Sequence, residues 1–250
     1  MMVSYCTFAP QALHKQTRFV VLLPENCEPP FRTLYLLHGL SDNEDMWLRR
    51  SLVELYADQR KLAVVMPDGE RSFYTNMVSG GQYFTYIADE LVAVTRKMFP
   101  LSDKREDTFI AGLSMGGYGA LKIALHRPEV FAAAASFSGA VDIATRMETR
   151  EISLPEYAAI WGEGAPLRGT EHDLFVLAEK LNDAPQKPRI YQECGTEDFL
   201  YEDNCRFRDW MRTLKFDFHY EERPGKHEWP FWNVCLPKAM DFFLGTYPNE

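Results

Sequence analysis

Cysteine is sparse in this chain and positive charge is in deficit. Only five cysteines occur among 250 residues: Cys6, Cys27, Cys194, Cys205 and Cys235. The count is odd and no C-x-x-C pair exists, which argues against a disulfide framework and for reduced thiols in a cytoplasmic protein. No pair has zinc-ligand spacing, and H-E-x-x-H is absent, so no metal or other cofactor is expected. No window holds the roughly 18 uncharged apolar residues that a membrane helix requires. The first residues, Met1 to Cys6, lack a basic region followed by an apolar run, so they do not read as a signal peptide. The formal net charge is −9. Such a surface repels phosphate backbones, which argues against nucleic acid, and it gives no reason to expect an anionic membrane as a partner. The acidic run Asp42-Asn43-Glu44-Asp45 lacks the spacing of a calcium loop and reads as solvated. Internal repeats and low-complexity tracts are also missing.

What is present is a rhythm of short apolar runs, glycine-rich or polar corners and helical patterns. Apolar residues make up 46% of the chain, enough for one large domain over 1–250. Strands are expected at Ser4–Phe8, Arg18–Leu23, Thr33–His38, Leu62–Pro67, Thr108–Leu113, Ala132–Ser136, Arg189–Cys194 and Phe216–Tyr220. Continuous runs such as YLL and AVVM suit strands buried on both faces. Helices are expected at Tyr83–Phe99, Met115–His126, Asp203–Leu214 and Trp232–Leu244. Strands alternating with helices predict an α/β fold: a mostly parallel central sheet with helices on both faces. The first two strands are expected to form an antiparallel edge. From Val141 to about Thr170 the rhythm breaks. That stretch reads either as an ordinary helix-containing connection or as a small cap or lid inserted over the carboxyl edge of the sheet.

Gly112-Leu113-Ser114-Met115-Gly116 matches G-x-S-x-G. Its setting gives the short match force: the apolar strand TFIAGL enters it and a small-residue helix start leaves it, as a nucleophile elbow requires. A serine hydroxyl is a weak nucleophile and needs a base within hydrogen-bond reach. In chains of this kind the acid and then the histidine follow the serine. Strand RIYQEC ends at Gly195-Thr196-Glu197-Asp198, where Asp198 is the preferred acid, Glu197 its rival and Asp203 a weaker candidate. The loop after FDFHY supplies His227, set beside Pro224 and Gly225. His14 and His172 read as solvated, His126 as a helix C-terminal cation and His219 as half-buried. After strand TLYLLH comes His38-Gly39-Leu40-Ser41, where a glycine lets amides approach a substrate oxygen. The amides of Leu40 and Met115 are the expected oxyanion donors, and His38 is expected to order the loop.

Together these residues resemble the putative-esterase (esterase D-like) branch of the α/β-hydrolases. That branch includes bacterial tributyrin esterases, feruloyl and acetyl-xylan esterases, S-formylglutathione hydrolase and mycolyltransferases. The likeness is carried by LYLLHGLSDNEDMW, VVMPDG, SFYTNM, FIAGLSMGGYGALKIALHRPEVFAAAASFSG, CGTEDFLYEDN and GKHEWPFW, and is closest to the tributyrin esterases. It implies an α/β-hydrolase fold, a triad falling on Ser114, Asp198 and His227, and hydrolysis of short-chain acyl esters, acetylated or feruloylated carbohydrates among them. S-Formylglutathione hydrolases carry a cysteine soon after the oxyanion glycine and a histidine within the elbow helix. Here those places read Gly39-Leu40-Ser41-Asp42 and Gly116-Gly117-Tyr118-Gly119, which weighs against a glutathione thioester. A thioesterase of that kind, an acyltransferase and a catalytically silent binding module are the alternatives. Among the aromatics, Trp47, Tyr74 and Trp161 lie on loops and are the expected substrate-lining residues. The expected partner is a small-molecule ester, and a homo-oligomer is compatible with the sequence.

Overall fold

The computed structural model describes residues 1–149 and 154–247. Its centre is one eight-stranded sheet. The strands are β1 (Met2–Phe8), β2 (Thr17–Leu23), β3 (Thr33–Leu37), β4 (Ala63–Pro67), β5 (Thr108–Leu113), β6 (Ala133–Phe137), β7 (Arg189–Gly195) and β8 (Phe218–Arg223). Their spatial order is β1-β2-β4-β3-β5-β6-β7-β8. β1 pairs antiparallel with β2, and β2 antiparallel with β4. Every later pairing, from β4–β3 to β7–β8, is parallel.

The helices are α1 (Met46–Arg50), α2 (Val53–Arg60), α3 (Tyr83–Thr85), α4 (Val92–Met98), α5 (Met115–His126), α6 (Ile143–Glu148), α7 (Tyr157–Trp161), α8 (Leu174–Lys180), α9 (Tyr201–Met211) and α10 (Trp229–Leu244). Between α3 and α4 the chain runs on as a π-helical stretch, Tyr86–Leu91. The single helix expected over Tyr83–Phe99 is thus one continuous rod with a wide-wound middle.

Alternate residues of a strand enter different cores, as a pleat of period two requires. Phe19, Val21, Tyr35, Leu37, Val65 and Ile110 pack under α4, α5 and α8. Val20, Leu22, Leu34, Leu36, Val64 and Phe109 pack under α1, α2 and α10. Because both faces are covered, every residue of β3, β4, β5 and β6 is buried. This is why the uninterrupted apolar runs mark these strands so clearly.

The segment from Val141 to Thr170 lies between β6 and β7 and carries α6 and α7; residues 150–153 of it fall outside the described residues. It is anchored in the main core by Val141, Ile143, Ile160, Trp161 and Leu167. The amides of Val78 and Ser79 donate to the carbonyls of Ile160 (3.1 Å) and Ala159 (2.8 Å), which ties α7 to the loop after β4. No described helix is long and apolar enough to cross a membrane.

Candidate active site

Ser114 sits alone between the end of β5 and the start of α5, with φ 53° and ψ −118°. A non-glycine residue held there stores about 1–3 kcal/mol of backbone strain. The surrounding contacts hold it in place. The Ser114 amide donates to the Phe137 carbonyl (2.9 Å), and the Ser114 carbonyl accepts from Ala140 (3.1 Å) and Tyr118 (3.2 Å). The two flanking glycines are required by proximity. A Cβ on Gly112 would stand 2.4 Å from the Gly116 carbonyl, and one on Gly116 would stand 2.6 Å from the carbonyl oxygens of Leu37 and His38.

Two further loops converge on this serine. His227 places Nε2 2.9 Å from Ser114 Oγ. Its Nδ1 lies 3.0 and 2.9 Å from the two carboxylate oxygens of Asp198. The loops that carry these residues are laced together: the Thr196 amide donates to Arg223 and the Glu197 amide to Gly225, both at 3.0 Å. The His227 ring is held between Phe199 (centroids 4.5 Å) and Trp232 (4.9 Å). The three candidate acids are sorted by their surroundings. Asp198 is buried beside the imidazole and also accepts the Leu200 amide at 2.8 Å. Glu197 is exposed. Asp203 is buried but engaged by Arg146 and Arg206.

The loop after β3 crosses directly above the serine. A Cβ on Gly39 would meet Leu113 at 2.7 Å and Ser114 Cβ at 3.7 Å. Neither the Leu40 nor the Met115 amide finds an acceptor among the described residues. His38 is buried beneath this loop. Its Nε2 accepts the Gly69 amide at 2.9 Å, so the proton rests on Nδ1, which donates to the Gly39 carbonyl at 2.7 Å. The Tyr74 hydroxyl donates to the His38 carbonyl at 3.0 Å. His38 is therefore a strut for the loop.

A cleft of about 540 Å³ opens over Ser114 and His227, walled by Leu40, Arg50, Phe199, Trp229 and Trp232. A second cavity, about 600 Å³, adjoins it across Leu40, Ser41 and Asp42 and continues past Asp68, Glu70, Arg71, Met77 and Glu156. The three aromatics expected to line the site do not. Trp47 is fully buried, with Nε1 donating to the Leu37 carbonyl at 3.0 Å. Tyr74 is fully buried under the His38–Leu40 loop. Trp161 packs on Phe73 and Tyr157 and borders a different cavity. Trp47 and Trp161 stand in the short helices α1 and α7 rather than on loops as expected, only Tyr74 lies in a loop, and all three rings turn inward. The ring missed in the sequence is Phe199; its place directly after Asp198 was the available signal. Among the described residues no group of three or more His, Cys, Asp or Glu side chains is arranged to hold a metal ion.

Comparison with known proteins agrees with this geometry. The profile of a family described as Putative esterase matches residues 10–243. An acetyl esterase of Caldicellulosiruptor saccharolyticus is 32% identical over 260 positions, covering 97% of this chain and 98% of its own. The solved structure of FphF, a fluorophosphonate-binding serine hydrolase of Staphylococcus aureus, is 34% identical with a TM-score of 0.91, covering 97% of this chain and 98% of its own. An S-formylglutathione hydrolase (FrmB) from Staphylococcus aureus is 33% identical with a TM-score of 0.87, covering 98% and 100%. With this fold, the α/β-hydrolase fold of those esterases, the chain belongs to the Putative esterase family and is a serine-type carboxylic ester hydrolase.

Proposed function

We propose that the enzyme hydrolyses neutral esters of short carboxylic acids through an acyl-enzyme on Ser114. The observation that carries this reading is the unbroken hydrogen-bond chain from Asp198 through His227 to Ser114 Oγ. His227 Nε2 takes the hydroxyl proton as Oγ attacks the ester carbonyl, while Asp198 holds the Nδ1–H and stabilises the imidazolium that forms. The Leu40 and Met115 amides, free of internal acceptors, receive the developing oxyanion. His227 then protonates the departing alcohol and activates the water that releases the acid.

The name of the acetyl esterase relative supports a short acyl group. So does the serine cleft, where bulky Trp229 and Trp232 leave about 540 Å³ to be shared by both halves of the ester. Acetylated or feruloylated carbohydrates fit the same reading. Residues 1–250 act as one domain, and its five free thiols suit a reducing cytoplasm. We read the segment from Val141 to Thr170 as a cap on the adjoining cavity, since Glu156 reaches Arg71 there at 2.6 Å.

A glutathione thioester is the second reading, favoured by the likeness to FrmB. Charge opposes it. The serine cleft carries Asp42 and Glu228 against Arg50. The adjoining cavity carries Asp42, Asp68, Glu70 and Glu156 against Arg71. Carboxylates outnumber cations on both sides of the loop, and glutathione is itself anionic.

The test is a panel of acyl esters and thioesters. Acetyl to butyryl esters should give higher kcat/KM than octanoyl, in graded steps, because one methylene in an apolar pocket changes discrimination by only about 1–3 kcal/mol. The glutathione thioester should react more slowly than a neutral thioester of the same acyl group. A peak at decanoyl would overturn the short-chain reading, and a preference for glutathione would install the second reading.

A further inference from the structure

Behind the nucleophile helix lies a cavity of about 390 Å³ that the chemistry at Ser114 does not use. It is bordered by Lys122 and His126 of α5, by Arg127 just beyond its end, by Asn76 of the loop after β4, and by Glu171 and His172 ahead of α8. Its size falls in the usual range for a small-ligand pocket. Lys122 is eight residues beyond Ser114, about 12 Å farther along the helix at the α-helical rise.

Lys122 is 2% exposed. Its ammonium donates to Thr75 Oγ1 at 2.8 Å and faces His172 Nδ1 at 3.1 Å. The rings of Tyr118 and Phe84 stand 5.5 and 6.0 Å away. Both hydrogen-bond partners are uncharged acceptors, and among the described residues no carboxylate lies within ion-pair distance of Lys122. The charged neighbours are engaged elsewhere. Arg127 is paired with Asp89 at 2.9 Å. Glu171 stands at the cavity rim, its side chain 69% exposed and its carboxylate 3.9 Å from His172 Nε2, and its backbone carbonyl faces His126 Nε2 at 3.2 Å. A buried ammonium normally sits beside a counter-charge, because desolvation without one is costly. Here the place for that counter-charge is a cavity lined by a lysine, two histidines and an arginine, with Glu171 at its rim.

We propose that this cavity is a binding site for a small oxyanion, a carboxylate or a phosphate, received by the Lys122 ammonium and the Nε2–H of His172. The occupant would sit where three elements meet through Lys122: α5, the loop carrying Thr75, and the α7–α8 connection. Burial pulls the Lys122 ammonium down to about 7 and, together with Lys122, pulls His172 down to about 3. Burial lowers His126 as well. Lys122 is therefore the group that charges as pH falls to about 6, and an anion favours that charged form. Glu171 opposes binding as a like charge at the rim.

The experiment is calorimetric titration of the protein with sodium acetate and, separately, with inorganic phosphate, at constant ionic strength held with chloride. Saturable binding in the millimolar range is expected at about pH 6, weakening as Lys122 loses its charge towards about pH 8.5. Lys122→Met should weaken it at least tenfold, whereas Glu171→Gln, a change at an exposed position, should tighten it. Preference for phosphate over acetate, or the reverse, tells which oxyanion the site takes. No saturable heat with either anion would overturn the proposal. So would binding unaffected by both substitutions, which would put the anion elsewhere, beside Ser114 included. If Lys122→Met does not fold, the Glu171→Gln and pH arms decide alone, and binding indifferent to both would overturn it.

Discussion

Asp198, Glu197 and Asp203 are three of the four carboxylates between positions 197 and 203, and their surroundings separate them. Asp198 lies 2.9 Å from the His227 ring, Glu197 faces solvent and Asp203 is bound by two arginines. Asp198→Asn should therefore cut kcat by about 10⁴-fold, the scale seen when a triad aspartate becomes an amide that favours the wrong tautomer. Glu197→Gln should leave kcat within a few-fold. Steady-state kinetics on one activated ester ranks the two, and the reverse order would move the acid to Glu197. Ser114, Asp198 and His227 were legible because strand ends and chain order constrain them: each follows a strand that ends at the same edge of a parallel sheet. Trp47, Tyr74 and Trp161 were not: Trp47 and Trp161 fall in helices of five residues, too short to show a periodic face, and nothing around Tyr74 states ring direction. The burial of Lys122 is illegible in the sequence for a related reason. Lys122 lies in the helix MGGYGALKIALH, where a single polar residue ordinarily marks the solvent face, yet every residue from Met115 to Leu125 is buried.

The elbow and its helix show how an element carries a site. Gly116 and Gly117 are adjacent in α5, but they meet different obstacles. A Cβ on Gly116 would strike two backbone carbonyls of the β3 end, whereas one on Gly117 would come 2.6 Å from the Ser136 hydroxyl and 2.9 Å from Gly139 Cα. A hydroxyl can rotate away, although Gly139 backbone must also yield; the carbonyls of Leu37 and His38 belong to a central strand and to the base of the loop over Ser114. Gly116→Ala should therefore lower activity by more than the roughly 10²-fold that loss of one oxyanion donor costs, and should lower Tm by several degrees. Gly117→Ala should cost less in activity. Activity and Tm measured on both variants check the ranking, and a milder Gly116→Ala would show that the loop tolerates displacement. The same dependence on packing explains which elements the sequence announced. Met115–His126 was read to the residue, because strand, turn and helix follow without a gap. α1, α2 and α8 went unread. α1 and α8 are short, and α2 is flanked by or exposes Leu52 and Leu55, so its apolar residues do not gather on one face. β8 begins two residues late and runs through Glu221, Glu222 and Arg223, because an edge strand is only half covered and admits charges.

At the scale of the whole molecule, the sheet brings Ser114, Asp198, His227 and the Gly39–Leu40 turn to one edge. What remains open there is the second half-reaction. Water and an alcohol compete for the same acyl-enzyme, and exclusion of water is what would turn a hydrolase into a transferase. The His227 side chain keeps 18% of its surface exposed, and the cleft above it opens to solvent beside Arg50, Trp229 and Glu228. Water therefore reaches the imidazole without displacing any part of the chain. An acceptor alcohol would need a site that holds it long enough to outcompete bulk water, and the walls nearest Ser114 are mainly aromatic rings and a backbone turn. Turnover should release free acid even with millimolar sugar or simple alcohol acceptors present. The measurement is the ratio of free acid to transferred ester as acceptor concentration rises. A ratio that stays high and falls only in proportion to acceptor agrees with hydrolysis at an open site. Saturation of transfer at low acceptor concentration would reveal a built acceptor site and make the protein an acyltransferase. Failure of any activated ester to acylate the folded protein would instead leave the triad geometry without chemistry.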